Sequence, residues 1–181
     1  MKIIGITGTI GAGKGEVVNY LKEKQGFKHF SVRDYIVREI EKRGLEINRD
    51  HMREVANDLR EKHGSSFIIE ELYREALEKG ENCVIESIRT AGEVEFLKSQ
   101  KDFEFWAVDA SQQLRYERVV LRKSVTDQIS FEKFVADEDH EMRSTDPAHQ
   151  NLSACIALSD YLLQNNSSLT DLHTQIDKIL N

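Results

Sequence analysis

The stretch GITGTIGAGKGE, residues 5–16, constrains this chain more than any other. It follows an apolar run, KIIGIT (2–7), and leads into Val17, Val18 and Leu21 at helical spacing. A buried strand, a glycine-rich turn and a helix are therefore expected in that order. Gly8, Gly13 and Lys14 match G-x-x-x-x-G-K-[ST], in which backbone N–H groups wrap a phosphate chain and the helix N-terminus adds favourable partial charge. Gly8, Thr9, Ile10, Gly11, Ala12, Gly13, Lys14, Gly15 and Glu16 form the candidate ATP-binding loop, with Lys14 reaching the terminal phosphates. Two positions stand apart. Gly15 lies where Ser or Thr usually holds magnesium, and the acidic Glu16 follows it.

The rest of the chain alternates strands with helices. Strands are expected at 27–32, 82–87, 103–110 and 160–165, and helices at 34–43, 49–63, 65–79, 91–99, 111–123, 130–142 and 168–180. Asn48 or Asp50 suits the start of the 49–63 helix and Gly64 its end. The single proline, Pro147, sits in the polar stretch STDPAHQN, read as a loop. Such alternation implies a three-layer α/β domain with a central parallel sheet of about five strands. The helices at about 32–79 break the alternation and read as an insertion beside the ligand cleft. The expected organisation is one domain spanning 1–181.

Composition narrows the partners. At 181 residues, 39% hydrophobic and 31% charged, the chain has the make-up of an ordinary globular domain. A net charge of −7 argues against stable nucleic-acid or anionic-membrane binding, so a site for a polyanion must concentrate its own cations. Cys83 and Cys155 lie far apart, outside any metal-binding spacing, which fits reduced thiols in a cytoplasmic protein. No apolar run reaches membrane length, and the first residues read as a strand. His140 and His149 read as surface residues, and Trp106 as core. Either a monomer or a small homo-oligomer is compatible with these features.

The run GAGKG resembles adenylate kinases, whose loop reads G-x-G-K-G-T and leaves the metal largely to water and phosphate. On that resemblance Gly15 is a family variant. Glu16 occupies the Thr position, so its carboxylate either faces away from the phosphates or weakens catalysis. The whole chain resembles the nucleoside-monophosphate-kinase-like branch of P-loop proteins. LREKHG (59–64) and VIESIRTAGEVE (84–95) resemble archaeal adenylate-kinase-related proteins. RDYIVREI (33–40), DASQQLRYERVVLR (109–122) and IALSDYLLQNNSSL (156–169) resemble dephospho-coenzyme A kinase.

Several residues gain candidate roles. A carboxylate at a strand end with an arginine three residues on suits a phosphoryl-transfer cleft, because ligands of such sheets bind at the C-terminal strand edge. The resemblance makes Glu86 the residue that organises magnesium-bound water, and Arg89 the grip on the acceptor phosphate. Asp34 and Arg38, four residues apart, read either as a helical ion pair or as acceptor-site residues. Dephospho-coenzyme A kinase has an acidic residue suited to deprotonating a hydroxyl at the Asp34 position, but carries a second aspartate where this chain has Val32. Arg115, Arg118 and Arg122 form one stripe, in a region (about 115–145) that resembles a lid. Arg118 and Arg122 are the candidates for catalysis there. Arg60 is a further acceptor-binding candidate, and Asn166 matches the loop that cups adenine. The expected activity is ATP- and magnesium-dependent phosphorylation of a nucleoside or deoxynucleoside monophosphate. The alternatives are a nucleotide hydroxyl as acceptor, or a regulatory protein that binds or hydrolyses ATP without transfer.

Overall fold

The computed structural model describes residues 1–122, 130–142 and 151–181, and within these it holds five strands and nine helices. The strand β1 (Ile3–Gly8) is buried along its whole length, as its apolar sequence requires. It lies at the centre of a parallel sheet ordered β2 (Lys28–Ser31), β3 (Cys83–Glu86), β1, β4 (Phe103–Asp109), β5 (Tyr161–Gln164). Successive side chains of a strand point to opposite faces. Ile4 and Ile6 accordingly pack with Trp106 against α1 (Lys14–Gln25) and α9 (Leu169–Leu180). Ile3, Ile85 and Phe105 face the other layer, where α2 (Val32–Lys42), α3 (Arg49–His63), α4 (Phe67–Lys79), α5 (Ala91–Lys98) and α8 (Leu152–Ala157) pack. The expected α/β architecture is the one observed.

The element ends follow local hydrogen bonding. Ser31 caps α2 by accepting from the Asp34 amide at 3.4 Å, so the helix starts at Val32, earlier than the expected 34. Asn48 caps α3 and Gly64 closes it. Helix α4 begins at Phe67, two residues later than its pattern implies. The short α8 is unannounced in the sequence, because six residues are too few for a helical period; Asn151 starts it by accepting from Ala154 N at 3.0 Å. Helices α6 (Gln112–Leu121) and α7 (Phe131–Met142) occupy the expected lid region. Apart from Asn151, STDPAHQN lies outside the described residues, as do 123–129. No described helix is long and apolar enough to cross a membrane.

Register gathers the candidate chemistry at one edge. Ser31 and Ile6 both align with Glu86, and Gly8 aligns with Val108. The C-terminal ends of β2, β3, β1 and β4 therefore face the same crevice. The chain leaves β1 for one side of the sheet and later returns on its other side, which is the switch point where open α/β sheets bind ligands.

Candidate active site

The glycine loop is held from behind. Gly13 has φ 102°, and a side chain there would meet Asn165 Nδ2 at 2.3 Å. Asn165 is buried; its Nδ2 donates to Ala12 O at 2.8 Å and its amide to Asp109 O at 2.8 Å. Thr9 Oγ1 donates to Asp109 Oδ1 at 2.9 Å. Buried Arg115 donates from Nε to Ala110 O at 2.8 Å, reaches Ile10 O at 3.4 Å and pairs with buried Glu138 of α7. Arg115 thus ties the loop and the end of β4 to α7. A β-carbon on Gly15 would meet no atom of the described residues within 4 Å, so among them the space beside it is open.

The Glu16 carboxylate turns onto α9. Its Oε1 lies 2.9 Å from His173 Nε2, and that imidazole stacks on Tyr20 with centroids 4.1 Å apart. Tyr20 in turn donates to Asp177 at 2.9 Å.

Lys14 Nζ donates to Gly8 O at 2.7 Å and Thr9 O at 3.1 Å, folded along the loop it would leave to meet phosphates. Burial, aided by the nearby Arg89 and Arg122 charges, lowers its pKa to about 8, against the opposing pull of Glu141 and Glu86. Glu86 stands across the crevice with its Oε1 3.2 Å from His29 Nε2. That imidazole, with help from Lys14 and Ser31, holds the Glu86 carboxyl below its usual range in spite of partial burial. An ionised carboxylate across the crevice from the glycine-loop lysine suits magnesium, which keeps several waters and takes one or two carboxylates plus substrate phosphates. Glu86 fits that role through water. Among the described residues no cluster of three or more His, Cys, Asp or Glu could hold a metal by itself.

The four candidate acceptor residues divide between two hollows. Arg60 and Arg89 line one of about 420 Å³, between α2, α3 and the β3–α5 loop. Asp34 and Arg38 line another, of about 540 Å³, beside His29 and Glu75. Arg38 makes a two-pronged pair with Glu75 at 2.8 and 2.9 Å and does not pair with Asp34. The loop bearing Arg89 is built rigidly. Thr90 and Glu93 form a reciprocal capping box at the start of α5, and Glu93 also accepts from the Arg89 amide at 2.9 Å. Thr7 Oγ1 donates to Ile88 O at 2.8 Å, tying that loop to β1. Ser87, next to Glu86, has φ 72°, a conformation that non-glycine residues rarely adopt.

On α6, Arg118 Nη2 donates to Asn165 O at 2.9 Å, placing this guanidinium against the loop after β5. Arg122 ends α6, exposed, yet close enough for its charge to act on Lys14. Asn166 accepts from Ser111 N at 2.7 Å with its side-chain oxygen, joining the β4–α6 and β5–α9 turns. Asn165, His29, Arg33 and Arg53 also belong to the site's walls or supports. Nothing in local spacing marks them: Asn165 and His29 act through partners far away in sequence, and Arg33 and Arg53 reach the same hollow only because α2 and α3 both border it. The T-x-x-E capping box at Thr90 is the exception and is readable directly.

Comparison with known proteins places the chain among relatives of the same build. A family model described as an AAA domain matches residues 4–146. A UPF0200 protein of Methanococcus vannielii is 31% identical over 99% of this chain and 97% of its own length. The crystal structure of TT1252 from Thermus thermophilus shares the fold at TM-score 0.62 and 21% identity, covering 99% of this chain and 96% of that one. Shikimate kinase from Acinetobacter baumannii, solved with shikimate, does so at TM-score 0.61 and 17% identity, over 99% and 93% of the two chains. These matches carry the P-loop kinase-like fold; they name neither adenylate kinase nor dephospho-coenzyme A kinase. With the family model matching residues 4–146 and a UPF0200 relative matched along nearly its full length, the chain belongs to the AAA domain family and to the UPF0200 proteins.

Proposed function

We propose that the protein transfers the terminal phosphoryl group of ATP to a nucleoside or deoxynucleoside monophosphate, yielding the diphosphate and ADP. One observation carries this reading: Arg89 is on the wall of the arginine-lined hollow and also close enough to Lys14 to shift its pKa. Donor loop and acceptor hollow therefore meet at these two cations. In the transfer, an oxygen of the acceptor phosphate forms a bond to the γ-phosphorus as the bond to the β–γ bridging oxygen breaks, its electron pair leaving with ADP. That acceptor oxygen is already ionised, so no base is required. Lys14 and Arg122 neutralise the donor phosphates, Arg60 and Arg89 hold the acceptor, and Arg118 supports the loop expected to cup the base. Magnesium, held through water by Glu86, would spread the charge on the transferring phosphates. Asp34 lies in the other hollow, which favours a phosphate acceptor over a hydroxyl.

The test supplies ATP and magnesium with and without each nucleoside monophosphate and follows ADP release and product mass. Acceptor-dependent release with a diphosphate product is expected. Equal release without acceptor would mark an ATPase, and binding without release a sensor.

A further inference from the structure

The hollow that holds Arg60 and Arg89 carries more positive charge than one phosphate can use. Its wall also contains Arg33 of α2 and Arg53 of α3, and among the described residues no carboxylate lines it. Four guanidiniums in one cavity are unexpected in a chain of net charge −7. A phosphate monoester brings about −1.5 to −2 charges and three terminal oxygens, enough for one or two bidentate guanidinium forks. Arg60 and Arg89 already supply those two.

Among the described residues, the neighbouring acids do not use up the remainder. Arg53 pairs with Asp50 at 2.9 Å, but the side chains are 70% and 75% exposed, so this i,i+3 pair is weak and readily exchanged. Arg33 makes no ion pair among the described residues. Glu93 lies behind the wall, 3.8 Å from Arg60, with its carboxylate engaged by the Arg89 and Thr90 amides. Buried Arg60 Nε has no hydrogen-bond partner among the described residues. Arg53 and Arg60 are seven residues apart, hence two turns and about 10 Å along the helix axis. The cations are spread along the cavity, with Met52 and Ile36 contributing apolar surface to the same wall.

We infer that the acceptor carries a second anionic group besides the phosphate that receives the phosphoryl group, bound by Arg33 and Arg53 while Arg60 and Arg89 hold the first. The inference rests on the transfer reading above and narrows its substrate class to a nucleotide with two separated acidic groups.

Two measurements test it on the full-length protein. Calorimetry compares the binding of nucleoside 5′-monophosphates with the matching 3′,5′-bisphosphates, for the native protein and for the Arg33→Ala/Arg53→Ala double variant. The same nucleotides are then offered as acceptors in the ADP-release assay. The native protein is expected to prefer the bisphosphate at least about tenfold, as charge-assisted hydrogen bonds to a second anion imply. The double variant should bring that ratio close to one. Equal affinity for both nucleotides, an undiminished ratio in the variant, or no binding of either would overturn the inference. The expected ratio without any phosphoryl transfer would instead overturn the transfer reading and leave the second anion site standing.

Discussion

Gly13 and Gly15 sit two residues apart in the glycine loop, yet different constraints act on them. Gly13 combines a left-handed backbone with the close approach of Asn165. Gly13→Ala should therefore destabilise the protein by about 1–3 kcal/mol in urea unfolding. Gly15→Ser should leave the unfolding midpoint near the native value, because its side chain enters open space. A large loss of stability in the Gly15 variant would mean that the space is needed by the protein and not by a ligand. Lys14 offers a test by pH. Only its ammonium form attracts phosphate, and its pKa without nucleotide lies at about 8. ATP affinity should be flat below that value and fall about tenfold per pH unit above it, until the pKa in the complex is reached. A lysine at its ordinary value of about 10.4 would show no such fall in this range. Lys14→Arg should remove the break, since a guanidinium stays charged. A break that survives in that variant would assign the titration to another group.

Between elements, the α1–α9 contact decides what Glu16 does. Its carboxylate is drawn to His173, which is braced by stacking on Tyr20. Without that partner it would be free to swing towards bound phosphates. His173→Ala should therefore weaken ATP binding by about three- to tenfold, the worth of one hydrogen bond of about 0.7–1.4 kcal/mol. Adding Glu16→Gln should restore most of the loss, and calorimetry on both variants checks the sign. A double variant as weak as the single one would show that Glu16 never competes with phosphate. The β3–α5 loop makes a separate demand. Capping by Thr90 and Glu93 holds the loop that places Arg89 on the wall of the arginine-lined hollow. Arg89→Ala should lower kcat/KM for the acceptor by roughly 30- to several-thousand-fold, as loss of a buried charge partner worth about 2–5 kcal/mol implies. Removing its charge should also move the ATP-binding pH break above 8, because Arg89 is one of the groups depressing the Lys14 pKa. Arg89→Lys should recover part of the kcat/KM, since an ammonium lacks the bidentate fork. ATP affinity falling as far as acceptor use would place Arg89 in the donor site.

On the scale of the whole molecule, α2 borders both hollows and separates the two acceptor readings, giving Arg33 and Ile36 to one and Asp34 and Arg38 to the other. With a phosphate acceptor, Asp34→Asn should change kcat by no more than about threefold, whereas loss of a general base costs about 10²–10⁴-fold. Steady-state kinetics at saturating acceptor distinguishes these outcomes. The sequence by itself determined the strand–loop–helix at the N-terminus, the five strands and most of the helices, because each of these is encoded in short-range periodicity, capping residues and glycine punctuation. The Thr90 capping box was legible for the same reason. Helix α8 was too short to show a period, and Asn48 was one of two candidate caps until its side chain met His51 N. Tertiary structure decided the partnerships. Asp34 and Arg38 share a helix, but α4 offers Glu75 to Arg38, so the ion pair that their spacing allows does not form. Asn165, which no spacing singled out, packs under the glycine loop, because β5 runs beside β4 and turns it inward. Arg33, Arg53, Arg60 and Arg89 come from three separate segments, and their convergence needs the folded sheet. Spacing along a chain records which residues share a face of one element; which charges meet across elements is settled by packing alone.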